Sequence, residues 1–416
     1  MAAKRIPDQA TRSARPTKRA AAPGSRSLAY YCAANTGGIM EYAVCQAAAL
    51  AEAGLDVQFL CRPDFPVQRL SRVTTRPELG AELTLRSASR MGRWVARLRD
   101  ARRGAEAWAR VLGEAPGRRG LDACYHEYFA PLWVRPLCRL AATGTVIGTV
   151  AHDPVRDFVV GPRWWHERSV AAGYSFVRDV FVHDNTPVDT GRPTPHIRRH
   201  IIPMGPPALP SAKRSRAEMR TELGLAPGEV LFISFGHLRD NKNLDLFLRA
   251  MAQLPGQVKL LVAGNENAQS QKPAAYYQEL AHNLGVGPRC RWMIRYVTNE
   301  EAADLFVASD FCLVTYDRTF RSASGALNAA RRYRRPGIAS DGGGPLTKLV
   351  ARYQLGRCIE PDSLPELVEG VRQLLAAPPT PDWEALEREH SWQRNAELVT
   401  TALFAEPRSE LSGASR

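Results

Sequence analysis

The sequence predicts an α/β protein in which two doubly wound domains face each other across a cleft. Three observations support this prediction. Apolar runs typical of strands alternate with segments of helical periodicity along almost the whole chain. The chain has 416 residues, which exceeds the size of one ordinary domain. The composition changes at residues 206–215, "PPALPSAKRS", and these residues are the predicted linker between two such series.

Residues 27–205 are predicted to form the first domain. The run "SLAYYCA" (27–33) predicts a strand, "NTGG" a loop, and residues 39–55 a helix that ends at Gly54. The strand "DVQFLCR" follows and completes a β-α-β unit, so the sheet should be parallel with a right-handed crossover. Further strands are predicted in "AELTLRS" (81–87), "ACYHEY" (123–128), "TVIGTVAH" (145–152), "DVFVHD" (179–184) and "RRHIIPMG" (198–205).

Residues 216–385 are predicted to form the second domain, in which the same alternation begins again. Strands are predicted at 229–235, 258–264, 289–296, 310–316 and 336–340. Helices are predicted at 216–223, 243–252, 273–284, 299–308, 325–334 and around 346–352. In residues 386–405 the amphipathic stretch "WQRNAELVTTAL" predicts a helix that packs back across the domains.

Residues 1–26 are rich in Ala, Arg, Pro and Ser and are predicted to be a disordered basic tail. They lack the apolar segment of a secretory signal, so a signal peptide is not predicted. An organellar transit peptide is the alternative. The eight cysteines are scattered without metal-ligand spacing, and no apolar run is long enough to span a bilayer. These features predict a protein of the reducing cytoplasm.

The formal net charge of +14 comes mainly from arginine. Solvated arginines are one explanation, and the others are an anionic ligand, an anionic membrane surface or nucleic acid. Nucleic acid is not predicted as a partner, because the sequence contains no DNA- or RNA-binding module and its basic segments are spread over both halves.

Two cations stand at a predicted strand-to-helix junction in "FGHLRDNKNLDLFLRA" (235–250), namely Arg239 and Lys242. Ligands of open α/β sheets bind beyond the carboxyl ends of the strands. The planar fork of an arginine and the point charge of a lysine can together neutralise a diphosphate. The alternative is a solvated basic turn.

Glycine-rich junctions occur at other strand ends. Gly37 and Gly38, in "CAANTGGIMEY", let a backbone approach a ligand at a helix start, or form a plain tight turn. Ser324 and Gly325 open a helix whose N–H groups can face an anion. The arginines 331–335 end that helix, where cations suit the helix dipole. The sequence thus places two helix starts, an arginine and a lysine around one crevice. This combination predicts a nucleotide-diphosphate pocket.

His152 and Asp153 fall at a strand end of the first domain, in "TVAHDPVRDF". The histidine can donate a hydrogen bond or act as an acid or base, and a structural histidine paired with its neighbour is the alternative. No Asp-x-Asp pair occurs in the sequence, which argues against a diphosphate held through a metal. No metal site or cofactor is therefore predicted, and cations and helix dipoles would carry the charge of a leaving group.

From residue 27 to about 405 the chain resembles the retaining GT-B glycosyltransferases of the family 4 type. The resemblance rests on "TGGIMEYAVCQAAALAEAGLDV", "VAHDP", "IIPMG", "FGHLRDNKNLDLFLRAM" and "ASDGGG", in this order. It implies two Rossmann-like domains and an enzyme of glycan assembly, such as polysaccharide biosynthesis. Such an enzyme moves a sugar from a nucleotide-sugar to a glycan, glycolipid or small-molecule acceptor, without a metal and with retention at the anomeric carbon.

The resemblance also implies roles for individual residues. His152 would lie beside the donor sugar as the catalytic residue, and Tyr296 and Val297 would border the nucleotide base. Six residues would bind the donor diphosphate: Arg239, Lys242, Ser324, Gly325, Gly37 and Gly38.

The chain departs from the family pattern at one important pair. Many members carry two glutamates separated by seven residues, where this chain has Arg321 and Ala329, and "SASGALNAA" is similar to a Ser-Gly variant of that loop. The commoner form also has an arginine where this chain has His237. The alternative hypothesis is a noncatalytic GT-B binding or scaffolding protein. A sugar-nucleotide epimerase would need carboxylates in the cleft, and none can be assigned.

Residues 90–112 predict a basic helix. Arginines fill much of one face, and six apolar residues recur at helical spacing: Met91, Trp94, Val95, Leu98, Trp108 and Leu112. Such a helix can lie on an anionic membrane and bring the enzyme to a lipid-linked acceptor, on the inner face of the membrane. The alternative is a core-facing helix with a solvated basic face.

Overall fold

The computed structural model describes residues 26–66, 70, 72–81, 89–123, 130–152, 154–155, 159, 161–266, 271–320 and 324–405. All but one residue of the predicted tail lies outside these ranges, and so do Asp153 and Arg321. The strands predicted at 81–87 and 123–128 also fall outside them, except for Ala81 and Ala123.

The first domain contains a seven-stranded parallel sheet in the order β3-β2-β1-β4-β5-β6-β7. Its strands are β1 (Ser27–Tyr31), β2 (Asp56–Leu60), β3 (Thr74–Arg76), β4 (Arg119–Asp122), β5 (Ile147–Val150), β6 (Asp179–Val182) and β7 (Arg198–Ile201). Its helices are α1 (Gly37–Glu52), α2 (Arg90–Gly113), α3 (Ala130–Trp133), α4 (Arg135–Ala142) and α5 (Arg163–Tyr174).

The strand β4 lies just before the predicted strand "ACYHEY". Its sequence, "RGLD", carries a glycine and two charged residues, so it lacks the apolar signal of a buried strand. Gly120 is needed for packing, because a Cβ atom there would lie 3.1 Å from the Trp108 ring and 3.2 Å from Leu112 on α2. Gly120 thus lets α2 pack close to the sheet. The same glycine weakens the apolar pattern by which β4 could have been predicted.

The second domain contains a six-stranded parallel sheet in the order β10-β9-β8-β11-β12-β13. Its strands are β8 (Val230–Phe235), β9 (Val258–Ala263), β10 (Cys290–Met293), β11 (Phe311–Val314), β12 (Gly337–Ser340) and β13 (Gly356–Ile359). Its helices are α6 (Arg216–Glu222), α7 (Leu244–Met251), α8 (Ala274–Asn283), α9 (Asn299–Ala308), α10 (Gly325–Arg332), α11 (Pro345–Arg352), α12 (Leu364–Ala376) and α13 (Trp383–Glu389). Each strand and helix predicted here is present; β13, α12 and α13 are additional.

Both sheets reverse their strand order beside the first strand of the domain, between β1 and β4 and between β8 and β11. Inner strands such as β6 and β11 are buried along their whole length, as expected for sheets covered on both faces by helices. In such folds the crevice at the reversal point is where ligands bind. The topology therefore directs attention to the residues that follow β1 and β8.

The last helix, α14 (Trp392–Phe404), returns to the first domain and packs on α1. Val399 and Leu403 are fully buried in the core of that domain. Asn395 joins a buried hydrogen-bond network, in which it accepts from Gln46 at 2.8 Å and donates to the Tyr42 hydroxyl at 3.1 Å. The preceding helix, α13, spans the predicted boundary at 385/386.

The helix α2 divides into two halves. In its second half Trp108 and Leu112 are buried in the first domain, which matches the core-facing interpretation. In its first half Met91 is 69% exposed and Trp94 is 45% exposed. No helix in the described part of the chain is both long and apolar enough to cross a membrane.

Candidate functional site

Arg239 and Lys242 lie just beyond β8, at the reversal point of the second sheet. The chain turns at Gly236, whose φ of +89° is in the left-handed region. A short 3-10 turn, Asp240–Lys242, then leads toward α7. The Lys242 Nζ reaches back and donates a hydrogen bond to the Phe235 carbonyl at 2.7 Å. The ammonium group is thereby held at the carboxyl end of β8, where an α/β sheet binds its ligand.

The turn that carries these cations is fixed by its neighbours. The Asp240 carboxylate accepts hydrogen bonds from the Tyr277 hydroxyl and from the backbone N–H of Lys272, both at 3.0 Å. The Thr315 hydroxyl donates to the Lys242 carbonyl at 3.2 Å. These bonds tie the turn to α8 and to the end of β11, which argues against a freely solvated basic turn.

The two cations have no counter-ion among the described residues, which do not include Asp153. Within the described ranges neither Arg239 nor Lys242 forms an ion pair, and the Arg239 side chain is exposed. Burial, reinforced by the charge of Arg239, lowers the pKa of Lys242 to about 8. The pKa of His237 is also lowered, by burial and then by the two cations. Burial is the larger cause of both shifts, Cys312 opposes that of Lys242, and the mutual repulsion of the positive charges adds to burial; an anion bound beside them would relieve this repulsion.

The start of α10 borders the same space. Ser324 is buried, and its hydroxyl caps the helix by accepting from the Leu327 N–H at 3.2 Å. The Ser324 and Tyr316 hydroxyls are hydrogen-bonded at 2.9 Å. Burial raises the pKa of Tyr316 to about 12, while Ser324 and the positive charge of Arg239 act in the opposite direction. Arg239 is therefore an electrostatic neighbour of this pair. Gly325 is exposed, and a Cβ atom there would meet nothing within 4 Å.

We call Arg239, Lys242, Ser324 and Gly325 the cationic site. It combines a guanidinium, an ammonium and the first N–H groups of a helix, which carry the positive end of the helix dipole. A phosphate or diphosphate is the ligand class that such an arrangement suits.

His152 lies on the first-domain side. Its Nδ1 is 3.4 Å from the Nε2 of His183, whose Nδ1 is 3.2 Å from the Ile202 carbonyl. The Tyr42 ring packs edge-on against His152, with ring centroids 4.6 Å apart. Burial and the neighbouring His183 lower the pKa of His152 to about 3, so its imidazole is neutral at physiological pH. Its Nε2 is buried and forms no hydrogen bond of ordinary geometry with the described residues, although the Ala123 backbone lies near enough to oppose the fall in the His152 pKa; this favours a hydrogen-bonding role over acid–base chemistry.

Gly37 and Gly38 form the exposed start of α1, and a Cβ atom on either would meet nothing within 4 Å. Thr36 stands at the N-cap position without a side-chain capping bond. The nearby Asn35 was not anticipated from the sequence. Its amide nitrogen and oxygen are both buried and lack partners in the described part of the chain. Buried polar atoms of this kind normally have a partner, so this loop has unused hydrogen-bonding capacity.

Tyr296 and Val297 differ in what they offer a ligand. Tyr296 is 69% exposed, whereas Val297 is buried in the core of the second domain, so only its main chain is available. Ala329, at one of the two positions where many relatives have glutamate, is also buried in that core. The sequence of α10, "GALNAARR", contains no acidic residue.

A cavity of about 360 Å³ lies between the domains and adjoins the cationic site at Ser324. His183, Asp184 and Met204 line it from the first-domain side, and α10 and α11 line it from the second. Lys348 of α11 approaches Asp184 across the cavity, with 3.9 Å between Nζ and Oδ2. The cavity does not include Arg239 or Lys242, so it extends away from the cationic site along α10.

Comparison with known proteins identifies the second domain. Residues 215–399 match the sequence family described as "Glycosyl transferases group 1". Over these residues the chain is similar to the glycosyltransferases of group 1. The chain is 33% identical to the D-inositol 3-phosphate glycosyltransferase of Nocardia farcinica over 125 residues, which are 27% of this chain and 28% of that relative. The enzyme of the same name from Mycobacteroides abscessus is 32% identical over 106 residues, 25% of this chain and 24% of the relative. The chain thus spans about a quarter of the length of these curated relatives.

Solved structures resemble the chain over nearly its whole length. The sucrose-phosphate synthase of Thermosynechococcus elongatus gives a TM-score of 0.61 at 17% identity, covering 91% of this chain and 98% of that one. The Anabaena HepE protein in complex with UDP and glucose gives 0.56 at 14% identity, covering 91% and 95%. Identities this low establish the fold alone. The two domains thus have a GT-B fold, as the sequence predicts.

Strand-end reasoning singled out Arg239, Lys242, Ser324 and Gly325, whose role as a site stays a prediction, but it overlooked Tyr316. This residue follows β11 directly, in "DFCLVTY", so the rule that located Lys242 after β8 applies to it equally. Asn35 follows β1 in the same way. The signal for both residues is a polar side chain at the carboxyl end of a strand beside the reversal point.

Proposed function

We propose that this protein transfers a sugar from a nucleotide-sugar donor to an acceptor, with retention of configuration at the anomeric carbon. The observation that carries this proposal is the cationic site, in which Arg239 and Lys242 stand beside the start of α10 with no counter-ion among the described residues. A nucleoside diphosphate supplies the missing negative charge. Anabaena HepE, whose fold is similar, is known in complex with UDP, which supports this ligand class.

In the proposed reaction, the bond between the anomeric carbon and the diphosphate oxygen breaks, and negative charge develops on that oxygen. Arg239, Lys242 and the N–H groups of Ser324 and Gly325 stabilise this charge without a metal held by the protein. The acceptor oxygen attacks from the face that the diphosphate leaves, and a leaving phosphate oxygen takes its proton. The neutral His152 offers its Nε2 to a hydroxyl of the donor sugar.

The acceptor that we propose is a glycan, a glycolipid or a small polyol. The names of the curated relatives make an inositol phosphate one member of the acceptor panel. The test is to incubate the purified protein with UDP-, GDP- and dTDP-sugars and each acceptor class, and to measure nucleotide release. Turnover with one donor, and its loss in Lys242→Met, is the expected result. Unchanged turnover in that variant would show that the cationic site does not carry the reaction.

A noncatalytic binding protein is the second candidate, favoured by the absence of acidic residues on α10. Thermal unfolding with and without nucleotide-sugars separates the two candidates. Stabilisation together with turnover supports the transferase. Stabilisation without turnover, across all donors and acceptors of the panel, supports the binding protein.

We further propose that the first half of α2 contacts an anionic membrane surface from the cytoplasm. Its exposed Met91 and Trp94 stand among the exposed residues Arg93, Arg97 and Arg99, a combination that suits the interface of an anionic bilayer. The protein should sediment with phosphatidylglycerol vesicles and not with phosphatidylcholine vesicles. Trp94→Ser should weaken this binding.

The control for that experiment is Trp164→Ser on α5, because Trp164 is 66% exposed and lies outside α2. Equal sedimentation of the two variants would contradict the proposed contact.

A further inference from the structure

Arg331 occupies the place where both connections between the domains pass. It lies in the last turn of α10, and its side chain is only 5% exposed. Its Nη2 donates to the Met204 carbonyl at 3.1 Å and to the His390 carbonyl at 2.9 Å. Met204 belongs to the chain that enters the second domain, and His390 to the chain that returns to α14. A single guanidinium therefore holds the outgoing and returning connections together.

The neighbouring residues strengthen this junction. Trp392 donates from its indole Nε1 to the Pro206 carbonyl at 2.6 Å. A Cβ atom on Gly205 would lie 2.4 Å from the Trp392 ring, so the two connections are in close contact. One turn before Arg331, the Asn328 Nδ2 lies 2.9 Å from the Met204 sulfur. The same face of α10 thus contacts the outgoing connection twice.

The helix dipole alone does not explain Arg331. Arg332, the next residue, is exposed and suits the helix end equally well at no desolvation cost. Arg331 is buried without an ion pair among the described residues, and burial lowers its pKa to about 10. The Glu387 carboxylate opposes this shift but forms no direct ion pair with Arg331, and a buried charge without such a pair is unfavourable unless its hydrogen bonds are essential to the arrangement. The two carbonyls at the connections are the bonds that this charge makes.

We infer that Arg331 is a positioning residue that couples ligand binding at the cationic site to movement of the two domains. The eight residues of α10 span about 12 Å as a rigid rod. Ser324 and Gly325 at one end belong to the cationic site, and Arg331 at the other end holds both connections. Rotation of the domains about these connections is thereby transmitted to the anion-binding end of the helix. By linkage, a bound diphosphate favours one domain arrangement. This inference rests on the proposed function for its ligand.

The test uses the full chain with three variants. Arg331→Met keeps the bulk of the side chain and removes the two bonds, and Arg331→Lys keeps the charge without the planar fork. The matched control is Arg332→Met, since Arg332 is its exposed neighbour with one 3.4 Å contact to the Leu209 carbonyl. UDP and GDP affinity is measured by calorimetry, the radius of gyration by X-ray scattering with and without nucleotide, and donor kinetics by nucleotide release.

Wild type and Arg332→Met should become more compact when nucleotide binds. Arg331→Met should bind nucleotide with an affinity within about threefold of that of wild type, but its radius of gyration should not decrease on binding. Its kcat should fall on the order of tenfold or more, while its KM for the donor stays nearly unchanged. Arg331→Lys should recover part of both losses. If Arg331 had a purely structural role, its substitution would lower the unfolding temperature without lowering kcat at an unchanged KM.

If Arg331→Met showed the same compaction and the same kcat as Arg332→Met, this inference would fail while the proposed function would stand. Nucleotide binding by wild type without compaction would also overturn it. If wild type bound no nucleotide at all, the proposed function would fail and this inference with it.

Discussion

Replacing Lys242 by methionine should stabilise the ligand-free protein while removing its affinity for a nucleoside diphosphate. In the folded chain, burial lowers the pKa of this lysine from the usual 10.5 to about 8. Since each tenfold change in proton affinity is worth about 1.4 kcal/mol, holding the charged lysine in place costs about 3 kcal/mol. The substitution also removes the bond to the Phe235 carbonyl, worth about 1 kcal/mol. The expected net gain is about 2 kcal/mol at pH 7.

The dependence on pH gives this prediction a definite sign. Below pH 8 the lysine is protonated in the folded and unfolded chains alike, so the full cost is present. Between pH 8 and 10.5 the folded lysine is neutral while the unfolded one still binds its proton, so wild-type stability rises with pH. The advantage of Lys242→Met should therefore shrink across this window. Denaturant unfolding at pH 7 and pH 9.5 measures it, and thermal unfolding with UDP or GDP reports the lost binding.

The matched control is Lys272→Met, because Lys272 has the opposite environment. Burial lowers the pKa of Lys272, but the Asp245 carboxylate, 3.2 Å from its Nζ, outweighs burial and raises it. Its substitution should reduce stability slightly. If Lys242→Met were less stable than wild type at pH 7, or if its advantage were the same at both pH values, the charge of Lys242 would not be uncompensated and the argument for an anion site would fail.

Three further predictions concern the same site. Affinity for UDP or GDP should fall about tenfold per unit as pH rises above the Lys242 pKa of about 8, whereas the decline below pH 7 comes from protonation of the terminal phosphate, whose second pKa is about 6; a flat calorimetric profile from pH 7 to pH 9.5 would contradict this. Because the pKa of His152 is about 3, His152→Gln should keep more activity than His152→Ala, and neither should alter the pH profile of kcat/KM between pH 5 and 8. Ser324→Ala should cost about 1 kcal/mol of stability and weaken nucleotide affinity several-fold, whereas Ser215→Ala, which removes the cap of α6 beside the residues that precede β11, should cost stability alone.

The sequence predicted much of the fold because the parallel strands are buried on both faces and carry a continuous apolar signal. Strands such as β6, "DVFV", and β11, "FCLV", were located to within two residues at each end. The prediction failed at β4, where Gly120 and charged residues replace that signal. The interior of α2 was ambiguous for a related reason. Its apolar positions share one spacing, although only those after about residue 104 reach the core.

The site could be predicted as far as local sequence determines it. Lys242 and Ser324 stand at junctions between elements, where their position follows from strand topology. The missing counter-ion, the Tyr316–Ser324 hydrogen bond and the neutral state of His152 depend on residues far apart in the chain, so no local pattern contains them. Arg331 shows this most clearly, since the dipole argument applies equally to Arg332 and only packing distinguishes the two.

The placement of α14 has a consequence for biosynthesis. A ribosome makes this helix after all the strands of the second domain, yet Val399 and Leu403 complete the interior of the first domain, and Leu403 fills the space left by Gly148 on β5. The first domain must therefore remain incomplete and partly exposed to solvent until the second domain and α14 have been translated. Chains that stop before α14 should be prone to aggregation or degradation, even when their carboxyl-terminal sheet is intact.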